Sequence, residues 1–218
     1  MAYKTAYLEA QARIRTLVNN QNADVPVPGC PGWTVKDVVA HLTGVFDDIQ
    51  RGNLERAATE EWSAGHIAAR REKSLTEIGA EWHLLAHTHP YVFIGDYSET
   101  MYVDLICHEF DIRGAIGNKE ARYLPDIRTA ALFFLTAVDR DFHEQGVPAL
   151  RVQVEDKYFD IGDGEPQGQV TLRWFELFRV LSGRRSRAQV AALPWEGDPE
   201  TWLDRLFILG PAEQDIAE

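Results

Sequence analysis

Up to about residue 146, apolar side chains recur every three or four positions; beyond it they alternate with polar ones. The first spacing is that of helices buried on one side, the second that of strands. Ala6, Leu8, Ala12, Ile14, Leu17 and Val18 suggest a first helix ending near 19–22, followed by a Pro/Gly-rich loop over 25–32. Thr34 is a natural N-cap for the next helix, and Asp37 three residues on completes a near capping box. Val35, Val38, Val39, Leu42, Phe46 and Ile49 then mark its buried face, and Trp33 is placed to staple onto Val38. Further helices are expected over 63–87, 98–116 and 125–144, the last ended by Gly146-Val147-Pro148.

From there Leu150, Val152 and Val154 alternate with Arg151, Gln153 and Glu155, and 158–161 reads as a pairing strand. Asp163-Gly164 reads as a hairpin turn, 172–181 as a helix, 189–193 as a short strand and 199–206 as a last helix. The expected fold is mainly α with a small α+β unit: a helical bundle over 1–146, then an α+β domain over 147–218.

Composition narrows the function classes. The 218 residues carry 22 Lys or Arg against 34 Asp or Glu, a net charge of −12. Such a chain repels phosphate backbones, so no nucleic-acid partner is expected. No apolar run approaches the roughly 20 residues of a membrane span, and the charged start does not read as a signal peptide. Cys30 and Cys107 form no CxxC pair, which makes a reducing cytoplasm the expected location. No GxGxxG, Walker or GxSxG pattern occurs, so nucleotide and serine-hydrolase readings have no support.

The chemistry-bearing residues lie on two of the helices. Asp104 and His108 are four apart and share one helix face, with Asp111 three further on. Val103, Ile106, Cys107 and Phe110 form the adjoining apolar side, so the carboxylate and the imidazole border the interior. A carboxylate seldom buries without a partner, and a divalent cation is one suitable partner. His41 falls between Val38 and Val45 on the inward row of its own helix. Facing helices of bundles build metal sites from such side chains. Two histidines and one carboxylate leave positions open for water or substrate and favour zinc over magnesium or calcium. The same spacings also suit a local Asp–His hydrogen bond and a satisfied core histidine.

The segment PGCPGWTVKDVVAHLTG, residues 28–44, resembles the opening of the mycothiol-dependent maleylpyruvate isomerase family, part of the wider DinB-like group of metal-binding four-helix proteins. DLICHEFDIRGAIG, residues 104–117, resembles that family's helix with an acidic residue, three spacers, a histidine, two spacers and an aspartate. LRWFELFRVLSGRRS (172–186) and WEGD (195–198) resemble its small C-terminal domain. The resemblance implies that His41, Asp104 and His108 are metal ligands and that mycothiol is used as a thiol cofactor. Where the isomerase commonly carries Glu, this chain has the shorter Asp104. Asp111 matches a family aspartate, read here as orienting the His108 ring.

A metal-bound thiolate would add to a small electrophilic or unsaturated acid, giving isomerisation or S-transfer. No protein nucleophile is required. Arg184 and Arg185 are candidates to bind an anionic cofactor or substrate, because guanidinium grips carboxylates bidentately. They also suit a solvated basic face past a helix end. The alternative function is a non-enzymatic metal-binding or ligand-sensing bundle. His83, His87 and His89 form a rival HxxxHxH cluster without a matching carboxylate. Cys30, before the second helix, is either near the mouth of the site or a buried turn residue. Cys107 reads as core. Oligomeric state is left open.

Overall fold

The computed structural model describes residues 3–218. The chain forms two compact units: residues up to Glu120 together with Glu218, and Ala121–Ala217.

The first unit holds α1 (Lys4–Leu17), α2 (Val35–Arg51), α3 (Glu60–Ala69), α4 (Leu75–Thr88) and α5 (Ser98–Ala115), with a 3-10 turn at Pro90–Ile94. Thr34 caps α2 through a full capping box: its hydroxyl accepts from the Asp37 backbone N–H, and Asp37 accepts from the Thr34 N–H. The expected apolar row, Val35, Val38, Val39, Leu42 and Phe46, is buried. Each such side chain contributes about 1.5–3 kcal/mol when taken fully from water. Helix α2 packs against α3, α4 and α5, and α1 packs against α5. Tyr7, Phe46, Trp82 and Phe93 pack edge-to-face or tilted at the centre, and the Trp82 indole N–H donates to Tyr7 Oη at 2.9 Å.

The single helix expected over 63–87 is two. The chain leaves α3 at Arg70 and starts α4 at Ser74, whose side chain forms a second capping box with Glu77.

Helix α5 is buried around most of its circumference, Asp111, Glu109 and Arg113 included. Buried charge must be paired. Glu109, fully enclosed, accepts two-pronged hydrogen bonds from Arg13 of α1 and from Arg113 one turn on. That ion group ties α1 to α5 and leaves the opposite side of α5 to Asp104 and His108.

The second unit begins with α6 (Pro125–Gln145), ended by Gly146 in the left-handed region at φ 63°. The strands are β1 (Pro148–Val154), β2 (Lys157–Ile161) and β3 (Asp163–Leu172). Helices α7 (Trp174–Leu181) and α8 (Arg187–Ala191) precede β4 (Trp195–Glu196), and the sheet order is β2-β1-β3-β4. Strand β1 pairs antiparallel with β2 (Val152 opposite Phe159) and parallel with β3 (Val152 opposite Val170). Helix α6 packs on α7 and β2, which groups it with the sheet, whereas the change of apolar spacing places the boundary at 146.

Three local expectations differ from the structure. The reversal at Asp163-Gly164 is not a hairpin, because β2 and β3 lie on opposite sides of β1; the hairpin turn is at Glu155 and Asp156. Residues 189–193 do not form a strand. Ser186 and Gln189 make a capping box that starts α8 instead. In place of one helix over 199–206 there are two 3-10 turns, Pro199–Thr201 and Leu203–Arg205.

Candidate metal centre

Helices α2 and α5 bring His41, Asp104 and His108 together. One donor atom from each lies within 4.8 Å of the others. His41 Nε2 stands 3.8 Å from Asp104 Oδ2, and His108 Nε2 stands 3.5 Å from Asp104 Oδ1. The His41 and His108 side chains are 8 % and 7 % exposed, while the Asp104 side chain is 33 % exposed. The cluster is thus closed on the histidine side and open past the carboxylate.

These separations fit a small cation. Zinc bonds to imidazole nitrogen and carboxylate oxygen are about 2.0–2.2 Å, which puts tetrahedral ligand atoms roughly 3.4 Å apart. The observed 3.5 and 3.8 Å, one to each Asp104 oxygen, give the cluster the size of such a site without drawing both rings onto a single oxygen. Both rings also turn their other nitrogen to an outer partner, as ligand histidines do. His108 Nδ1 lies 3.1 Å from Asp111 Oδ2, and His41 Nδ1 lies 3.3 Å from His66 Nδ1.

The electrostatics of the two rings are opposed. Burial pushes the His41 pKa well below its ordinary value, and the nearby His108 and His66 push it the same way. Burial would lower His108 too, yet Asp104, Cys30 and Asp111 outweigh it and hold that ring well above the usual histidine range. One positive charge is therefore favoured beside Asp104. A proton on His108 supplies it, and a divalent cation would supply it more completely.

The loop before α2 completes the surroundings. It is held by backbone bonds from Val27 N to Trp33 O and from Trp33 N to Cys30 O, at 2.9 and 3.0 Å. Trp33 lies against both ligand-type rings, with centroids 5.1 Å from His41 and 6.2 Å from His108. Cys30 is half-buried; its thiol donates to Asp111 Oδ2 at 3.3 Å, with Sγ 3.6 Å from His108 Nδ1. It stands beside the site, not at a remote turn. Cys107 is a buried core residue.

Two residues that matter here are not marked by any motif in the sequence. His66, on α3, bridges His41 and Asp48, with its Nε2 3.0 Å from Asp48 Oδ2. Asp48 does sit seven residues after His41, on the same row of α2, and that spacing is the one available clue. The His83 and His87 rings lie tilted against each other, centroids 4.0 Å apart, but are exposed, and their cluster with His89 is not among the potential metal-binding groups of the described residues.

Arg184 and Arg185 lie in the second unit and are buried, so they do not form a solvated basic face. Arg185 makes a two-pronged ion pair with Glu176, at 2.6 and 3.1 Å, and Arg184 Nη1 donates to the Ser182 carbonyl at 2.6 Å.

Among known proteins, residues 6–146 match the family described as mycothiol maleylpyruvate isomerase N-terminal domain. Two solved structures share the fold: the mycothiol-dependent maleylpyruvate isomerase and a histidine-to-alanine mutant of it. They are 13 % and 14 % identical to this chain, each with a TM-score of 0.56 over 84 % of this chain and 87 % of its own length. No curated protein matches. Among the described residues no helix is long and apolar enough to cross a membrane.

Proposed function

The chain belongs to the mycothiol maleylpyruvate isomerase N-terminal domain family, and from that premise we propose that it is a metal-dependent enzyme using a low-molecular-weight thiol, mycothiol or a close analogue, on a small electrophilic or unsaturated acid. His41, Asp104 and His108 would hold a divalent cation, zinc by the softness of the donor set. Bound there, the cation favours the thiolate of the cofactor, whose addition to an electrophilic carbon and later loss permit cis–trans isomerisation, or S-transfer where a leaving group is present.

The protein's own groups serve binding and orientation. His41 and His108 turn Nε2 toward the common point. Asp111 holds the His108 ring by accepting from Nδ1. Trp33 covers both rings with an apolar face, which excludes water from that side. The part-exposed flank of Asp104 is the side left for thiol and substrate. Arg184 and Arg185, expected from the sequence to meet an acidic part of cofactor or substrate, are instead buried among their own unit's Glu176 and Ser182 and have no part in this proposal. A cytoplasmic location, where such thiols are kept reduced, goes with this reading.

One observation carries the proposal: three donor atoms from two helices within 4.8 Å of one another. Protein purified without chelator should carry close to one equivalent of zinc or a similar metal, and its melting midpoint should rise with metal and again with mycothiol. Less than about 0.2 equivalents after metal addition would contradict the metal reading. Bound metal without turnover for any thiol and electrophile would leave the binding or sensing alternative.

A further inference from the structure

His66 is 5 % exposed and belongs to a helix with no regular apolar row, yet space has been left for it. A Cβ placed at Gly44 of α2 would lie 2.2 Å from the His66 ring. No real pair of carbons approaches so closely, so the ring occupies the place of a missing side chain. Gly44 sits three residues after His41 and four before Asp48, and the imidazole of α3 is thereby laid along the row joining the two.

With both rings neutral, as their burial favours, the hydrogen-bond logic along that row has one solution. A carboxylate only accepts, so the 3.0 Å contact from His66 Nε2 to Asp48 Oδ2 requires a proton on Nε2. In neutral His66, Nδ1 is then an acceptor. Its neighbour at 3.3 Å is His41 Nδ1, which must be the donor. Neutral His41 with its proton on Nδ1 keeps a bare lone pair on Nε2, the atom that faces Asp104.

We propose that Asp48 and His66 are positioning residues: together they fix the tautomer and ring angle of His41 so that Nε2 is available as a ligand. This rests on the metal reading above. The two ligand rings would then be set in parallel ways. Asp111 sets His108 directly, and Asp48 sets His41 through an intervening imidazole.

Asp48→Asn tests it. The carboxamide is nearly isosteric, lies on the part-exposed side of the row and can donate to His66 Nε2. With its NH2 turned to the ring it moves the His66 proton to Nδ1, which then donates to His41 Nδ1 and drives the His41 proton onto Nε2; His66→Phe, which fills the same gap but offers no acceptor, removes the hold on His41 whichever way the amide turns. Nitrogen-15 NMR of the histidine side chains in metal-free protein should show His41 changing from the Nδ1–H to the Nε2–H form. Zinc affinity, measured by competition with a chromophoric chelator, should fall about 10- to 100-fold. Asp48→Glu, which keeps the carboxylate, should retain the wild-type tautomer and an affinity within about threefold of wild type. Unchanged His41 tautomer and unchanged zinc affinity in His66→Phe, with the fold intact, would overturn the proposal. If wild-type protein bound no zinc, the metal reading would fall, while the NMR comparison would still decide whether Asp48 and His66 set the ring.

Discussion

His108 Nδ1 lies 3.1 Å from Asp111 Oδ2, which leaves Nε2 as the nitrogen that faces Asp104, 3.5 Å away. Asp111 is fully buried and also accepts from the Cys30 thiol, so its position is held from two sides. Replacing it with alanine should free the ring to rotate. Zinc affinity in Asp111→Ala should fall by about 10- to 100-fold, measured by chelator competition; wild-type affinity would show that Asp111 serves packing alone.

Zinc binding should release a proton. Burial would lower the His108 pKa, but Asp104, Cys30 and Asp111 outweigh it and hold it well above the ordinary histidine value, which favours a hydrogen on Nε2, the proposed ligand atom, in metal-free protein. A cation must displace it, and apparent affinity therefore rises with pH until the raised pKa of His108 is passed. Titration calorimetry at about pH 7, in buffers of different ionisation enthalpy, should count about one proton released per zinc. Zero release would contradict the charge assignment.

Gly44→Ala should destabilise the protein. At an open mid-helix position the exchange gains about 1 kcal/mol in helix propensity. Here the new methyl would meet three His66 carbons at 2.2–2.6 Å, and overpacking of this kind costs typically 1–3 kcal/mol. The collision should win, by up to about 2 kcal/mol in urea unfolding. A more stable variant would mean that α3 yields easily and that His66 is not firmly held.

Glu109→Ala should be among the most damaging single changes in the first unit. It removes a carboxylate partner from the buried Arg113 and from Arg13. Removing one member of a buried ion group typically costs 3–5 kcal/mol. Chemical denaturation should show a loss in that range, and a loss below about 1 kcal/mol would mean water reaches the arginines.

The legibility of the site in the sequence is uneven, for physical reasons. His41 can be assigned inward because Val38, Leu42 and Val45 define a buried row with a strong capping box before it. Asp104 and His108 can be paired because four residues make just over one helical turn. His66 cannot be found this way. Its helix has no apolar period, and its role depends on a gap at Gly44, more than twenty residues earlier. The break between α3 and α4 is written in Ser74 and Glu77, but the apolar spacing on either side runs on smoothly and masks it. In the second unit the Val-Ala-Ala-Leu run suggests a strand, and the short helix that Ser186 caps prevails. The reversal near Gly162 is legible as a turn; that the chain then crosses to the far side of β1 is a matter of topology, which local sequence does not encode.

His108 is common to two groups of potential ligands, one with His41 and Asp104 and the other with Cys30 and Asp111. Zinc X-ray absorption of the wild-type protein, without added thiol, separates them and tests the central claim. The account predicts a first shell of nitrogen and oxygen only, at about 2.0–2.1 Å, with imidazole scattering from two rings. A sulfur neighbour at about 2.3 Å, or a single imidazole, would place the metal at Cys30 and contradict it.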